Sequence, residues 1–243
     1  MDRGKDCQAI TVHTVSFDHR GGTAFYASLP VDGENHKGCR SNGEEDKNRL
    51  VSFLLDHVTG MDSPFGKCRL SFDSAPFPIH VVRDPLGRPH LLLGEHRGPA
   101  ISFSEGGGKI WAALCGDASD IGIDVATADE FQGGYPCHRV FHDREIQYAL
   151  RLTGGDLEKA SALLWSIKEA VVKALGCAFH LVAPRQVHIF PSIGEDGGYT
   201  FPVCLSRKAL ARAPMSAGCF IWVRSFPQAK MWLSIALLSC QPR

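Results

Sequence analysis

The sequence predicts a protein of mixed α and β structure in which each half supplies strands and one principal helix. Three observations carry this. Leu157, Ala160, Leu164, Ile167, Val171 and Ala174 recur at steps of three and four, the period of one helical face. Ile121, Ile123 and Val125 alternate with Gly122, Asp124 and Ala126, the period of a strand. Near the C-terminus, FIWVRSF and KMWLSIALL are two apolar runs joined by a Pro-containing turn, the pattern of a hairpin.

Taken in order, Ala9 to Phe17 alternates weakly and predicts a strand. The polar, Gly-rich stretch Val31 to Asp46 predicts a loop. Leu50, Phe53, Leu54 and His57 fall at helical spacing and place a helix over Glu44 to His57. Ile79 to Val82 is a short apolar run, and D-P-L-G-R-P then turns the chain. Lys109 to Cys115 predicts a strand after the Gly106-Gly107-Gly108 turn. The long helix spans Leu157 to Leu175, with Asp156 to cap its start and Gly176 to end it.

A length of 243 residues fits one large domain or two small ones, divided here into residues 1–115 and 116–243. The 26 basic and 26 acidic residues balance, so net charge argues for neither a nucleic-acid nor a membrane partner. Nine cysteines without a CxxC pair predict neither a disulfide framework nor a structural zinc site, and scattered thiols fit a reducing cytosol. The N-terminus has no apolar signal core, and no apolar run approaches transmembrane length. The expectation is a soluble, cytoplasmic protein.

Trp165, Glu169 and Lys173 are four apart and share a helix face away from the apolar stripe. Alone, an exposed Glu and Lys read as a solvated ion pair, and Asp124 as a turn or cap residue. Lys168 lies nearer the buried stripe, where its stem can snorkel. An acid on a strand, an acid on a helix and a Lys one turn on also suit a magnesium ion and a diphosphate, the Lys acting as a point cation. GGGKI lacks the spacing of a phosphate-binding P-loop. His138 and His142 have helical spacing for a metal, but no HExxH is present.

Gly122-Ile123-Asp124 followed by Trp165-Ser166-Ile167-Lys168-Glu169-Ala170-Val171-Val172-Lys173 resembles the signature of the Sfp-like 4'-phosphopantetheinyl transferases, G-[IV]-D and then W-[ST]-x-K-E-[AS]-x-x-K, in order and spacing. Gly87-Arg88-Pro89 resembles the family's G-[KR]-P, Ile101 to Ser104 its I-S-H-S, and Phe141 to Glu145 its F-x-x-x-E. The resemblance runs from about residue 80 to residue 176, with Arg49 as a single match before it. Two positions depart from the pattern: Ala126 replaces the second acid of G-I-D-x-E, and Phe103 replaces a phosphate-contacting His.

The resemblance implies an α+β fold, a pseudo-dimer of two similar halves with coenzyme A in the cleft between them. It implies metal ligation by Asp124 and Glu169, with Mg2+ or Mn2+ as the ion. Lys173 and Lys168 would hold phosphates, and Arg88, Ser102 and Arg49 would bind the nucleotide end. Glu169, directly or through a water, would take a proton from the serine of an apo carrier protein. That serine would attack the phosphorus joined to pantetheine and release 3',5'-ADP. Water steadied by Glu145 would fill the place left by Ala126. The chain would work as a monomer. The alternative is a non-catalytic relative that binds coenzyme A or a carrier protein, for which Ala126 and Phe103 argue.

Overall fold

The computed structural model describes residues 10–17, 22–31, 43–59, 78–116, 119–177, 179, 181–195, 197–213 and 219–240. In chain order these residues form β1 (Val12–Phe17), β2 (Gly22–Pro30), α1 (Gly43–Thr59), β3 (Ile79–Arg83), β4 (Pro89–Leu93), β5 (His96–Arg97), β6 (Ala100–Gly106), β7 (Lys109–Cys115), β8 (Ser119–Thr127), α2 (Cys137–Val140), α3 (Asp143–Leu152), α4 (Leu157–Ala174), β9 (Val187–Ile189), β10 (Ile193–Glu195), β11 (Gly198–Leu205), α5 (Arg207–Arg212), β12 (Cys219–Gln228) and β13 (Met231–Cys240). The fold is mixed α and β.

Side-chain parity along the strands explains the layering. In β7, Ile110, Ala112 and Leu114 pack with Leu50, Val51, Leu54 and Leu55 of α1. The alternate residues Trp111, Ala113 and Cys115 pack the other way, against Ile121, Ile123, Leu233 and Ile235. β13 divides likewise: Leu233, Ile235 and Leu237 join that middle cluster, while Trp232, Ala236 and Leu238 pack against the α4 core. Two sheets therefore stack face to face, each with its outer face on one long helix. A strand buried on both faces has no polar side. That is why β2 (GTAFYASLP) carries no polar alternation, and why sequence periodicity gave it no element.

The first sheet has the order β1-β2-β7-β6, and the main path of the second is β10-β11-β12-β13-β8, with β9 paired to β11. β3, β4 and β5 form a small third sheet. β6 and β8 are thus the two sheet edges that meet. They are joined by side chains: Ser102 Oγ accepts from the Ile123 amide at 3.1 Å, and Ser104 Oγ accepts from the Val125 amide at 3.3 Å. The hydroxyls give the β8 edge the partners that a neighbouring strand would otherwise supply.

Several expectations change. The helix expected from Glu44 begins at Gly43, so Asp46 belongs to its first turn and not to a loop; Glu44, Glu45 and Asp46 suit the positive helix end. Residues 32–42, most of the expected loop, lie outside the described residues, as does Ala9. The turn of the C-terminal hairpin contains no proline. It is formed at Ala229-Lys230, with Ala229 at φ 52°, and Pro227 lies within β12 opposite Trp232. Pairing with β11 ends at Ser225, so Pro227 has no strand to serve on that side. Cys219 is disulfide-bonded, against the expectation of free thiols, whereas Cys115, Cys137, Cys177 and Cys204 are free. No helix among the described residues is long and apolar enough to cross a membrane.

Candidate functional site

Gly122 explains how β8 and α4 come together. A Cβ there would lie 1.9 Å from the Ala170 carbonyl oxygen and 2.6 Å from the Ala174 nitrogen. Only glycine lets the helix backbone rest directly on the strand. This contact sets Asp124, two residues on and pointing to the same face, beside the last turns of α4. Asp156 begins that helix by accepting from the Lys159 amide at 2.9 Å, and Gly176, at φ 67°, ends it.

Lys173 lies on the last turn of α4, and its ammonium donates to Asp124 Oδ1 at 2.7 Å, the Ile123 carbonyl at 3.1 Å and the Phe103 carbonyl at 3.3 Å. An ammonium has three protons to donate, so all three are engaged. Ser104 Oγ donates to the same Asp124 oxygen at 3.0 Å. No ion pair joins Glu169 to Lys173 among the described residues, so the two do not form the solvated surface bridge. Burial pushes the Asp124 carboxyl above its ordinary range, against the pull of Lys173 and Ser104. Burial, reinforced by the charge of Asp124, also raises Glu169.

A cavity of about 510 Å3 opens beside this group. Its wall includes Arg83, Leu86, Arg88, Ser102, Phe103, Glu169, Lys173, Cys177 and Phe179. Asp124 is 6% exposed and is not part of the wall; Lys173 stands in front of it. Trp165 packs on Phe179 at a ring separation of 5.0 Å and backs that wall. Arg88 pairs with Asp120 and packs against Gly176, where a Cβ would meet its side chain at 2.7 Å. The D-P-L-G-R-P turn presents it: Asp84 Oδ1 accepts from the amides of Leu86 and Arg88, both at 2.9 Å, and Gly87 has φ 83°.

Five expected site residues therefore converge: Asp124, Glu169, Lys173, Arg88 and Ser102. Two do not. Lys168 is fully buried and does not reach the cavity. Its ammonium meets Glu145 Oε2 at 3.0 Å, the Pro184 carbonyl at 3.0 Å and the Val187 carbonyl at 2.6 Å. Burial lowers its proton affinity, with Glu145 opposing. Glu145 also accepts from the His142 and Ile189 amides, both at 3.0 Å, so it ties α3 to β9 and is not beside the cavity. Arg49 is exposed on α1, outside the cavity wall. His138 and His142 do not form a metal pair: both His142 ring nitrogens face Arg185, and its ring stacks on His188. Gly107 and Gly108 make the β6–β7 turn, at φ 60° and 71°.

Sequence reasoning gave no role to Ser104, Arg83, Leu86 or Phe179. Ser104 was open to inference, because it shares a strand face with Ser102. Nothing in the local pattern marks Arg83.

Among the described residues no group of three or more His, Cys, Asp or Glu is arranged to hold a metal ion. The hard donors present are the two carboxylates, Asp124 and Glu169. That set fits magnesium, which takes one or two carboxylates and fills its remaining positions with water and phosphate. Ala126 adds none: it is fully buried in the α4 core.

Residues 120–201 match the family model of the 4'-phosphopantetheinyl transferase superfamily. The matched stretch contains Asp124, Lys168, Glu169 and Lys173; Arg88 and Ser102 precede it. Among solved structures, the Chronobacterium ammoniagenes ACPS-CoA complex is similar at 18% identity and a TM-score of 0.42, covering 52% of this chain and 100% of its own. The holo-ACP-synthase from Plasmodium yoelii is similar at 17% identity and a TM-score of 0.39, covering 51% of this chain and 95% of its own. No curated protein matches the chain.

Proposed function

We propose that the chain is an Sfp-like 4'-phosphopantetheinyl transferase that moves the phosphopantetheine arm of coenzyme A to a serine of an apo carrier protein. The observation that carries this reading is that Glu169 and Lys173 line one cavity with Arg88 and Ser102, while Lys173 bonds the buried Asp124 at 2.7 Å. The family match over residues 120–201 supports it. In this reading the halves 1–115 and 116–243 form a pseudo-dimer around that cavity, and the protein acts in the cytoplasm as a monomer.

Each residue has work suited to its place. Asp124 and Glu169 would hold a Mg2+ or Mn2+ ion, which when bound neutralises the diphosphate of coenzyme A. Arg88 and Lys173 supply the cations along the cavity wall, and Ser102 fixes the β6 edge that closes it. Arg83, beside Arg88 at the wall, supplies a second guanidinium where Phe103 offers no hydrogen bond. Glu169 is the acid of the pair that lines the cavity, and its raised proton affinity suits it to take the serine proton. The serine oxygen then attacks the phosphorus bearing pantetheine, the bond to the leaving 3',5'-ADP breaks, and no enzyme nucleophile is needed.

A second reading, a non-catalytic binder of coenzyme A or a carrier protein, is favoured by Phe103 and Ala126. Incubation with apo carrier protein, coenzyme A and magnesium separates the two. Transfer adds the mass of the arm to the carrier, and excess EDTA abolishes the gain. An unmodified carrier, or equal transfer in EDTA, would overturn the proposal.

A further inference from the structure

Lys173 holds Asp124 in a way that conflicts with the task expected of both. Three oxygens from two strands surround its ammonium, leaving no proton for a phosphate. Asp124 lies behind it, buried and outside the cavity wall. Among the described residues of the cavity wall, Lys173 is the one bonded to Asp124, and it holds Oδ1. Glu169, one turn earlier on α4, is itself in the wall.

Resting on the transferase reading, we propose that Lys173 is a resident counter-cation of Asp124 which a divalent metal ion displaces into the cavity. The ammonium and the metal are alternative occupants of one carboxylate. While Lys173 is seated, it neutralises Asp124 and clasps β6 to β8 through the Phe103 and Ile123 carbonyls. Once displaced, it regains three free protons on a side chain that already lines the cavity, and these can meet a phosphate. Metal entry and creation of the phosphate ligand are then one event. Asp124 keeps a cationic partner throughout, so its buried charge is at no stage left alone.

Two measurements test this without reading activity. In protein labelled with 15N at lysine, the Lys173 ammonium signal is assigned through its own backbone. A fully hydrogen-bonded ammonium should be protected from exchange, and saturating Mg2+ should abolish that protection. A signal unchanged while calorimetry shows Mg2+ bound overturns the exchange. In the second measurement, Mn2+ affinity is read by electron paramagnetic resonance without coenzyme A. K173Q keeps a polar group at the clasp and removes the competing charge, so it should bind Mn2+ at least about tenfold tighter than the native protein. R88Q removes a cation that does not touch Asp124, and its gain measures the general field of the cavity. A K173Q gain no larger than that of R88Q, or no Mn2+ binding by either K173Q or the native protein, overturns the proposal. If K173Q fails to fold, the ammonium signal of the native protein decides alone. A native protein that modifies its carrier but shows neither effect keeps its function and loses the displacement. One that shows both effects but never modifies a carrier loses the function and keeps the displacement.

Discussion

Glu169 and Lys168 are neighbours on one helix with opposite fates. Glu169 faces the cavity and lacks a hydrogen-bond partner among the described residues. Its proton affinity is raised by burial and by Asp124, so its contribution to stability is full below the ordinary carboxylate pKa. That contribution is lost as pH rises through the raised folded value. At neutral pH its charge therefore opposes folding. E169Q should raise the melting temperature of the metal-free protein while lowering transfer by about a hundredfold or more, the usual worth of a positioned acid or base. Parallel calorimetric and carrier-mass assays check both signs, and a variant that is both less stable and fully active contradicts the assignment. Lys168 shows the reverse. Removing one partner of a buried pair leaves an uncompensated charge, so K168M should cost about 3–5 kcal/mol. The E145Q/K168M double variant should cost less than K168M alone in a denaturant titration. The helical period set Lys168 nearer the buried stripe than Glu169, but the resemblance gave both residues work at the site. Which neighbour faces the cavity depends on α3 and β9, and these meet Lys168 only in the folded chain.

At the scale of elements, α4 and β8 themselves were largely legible, because helix period, cap and strand alternation agreed, whereas their packing was not. The glycine of Gly122-Ile123-Asp124 has its reason in that packing. G122A forces a methyl into the backbone of Ala170 and Ala174, and neither can step aside without moving the helix. The expected cost is about 3 kcal/mol or more, above ordinary overpacking. In a chain of this length that is a fall of about 6–12 °C in melting temperature. A melt within a degree of wild type would mean that helix and strand lie farther apart. β2 and β4 left no comparable signal. β2 is a central strand covered on both faces, and Pro89 to Leu93 is a short run that follows a turn.

For the molecule as a whole, the stacked sheets were beyond reach of the sequence, since their shared core unites residues as distant as Val15 and Leu237. Their junction is also unusual in its bonds. The Ile123 and Val125 amides depend on single hydroxyl groups. S102A leaves the Ile123 amide without an acceptor at a buried site, at a cost of about 1–3 kcal/mol. Hydrogen exchange should locate the damage. The Ile123 and Val125 amides should lose protection in the S102A/S104A double variant, while amides within the β12–β13 ladder keep theirs. Equal loss in both places would mean that the junction is no weaker than the sheets it joins.

The meeting of β6 and β8 has one more consequence. A bare strand edge is a template on which another chain can add, and proteins must cover such edges or pay in aggregation. Here each edge shields the other, so neither half carries its own defence. Severing the chain near Gly116 should uncover both rows at once. Fragment 1–115 expressed alone should go into inclusion bodies, and co-expression with 116–243 should recover soluble material. If fragment 1–115 stays soluble and monomeric by itself, the β6 edge is guarded by some other part of the first half.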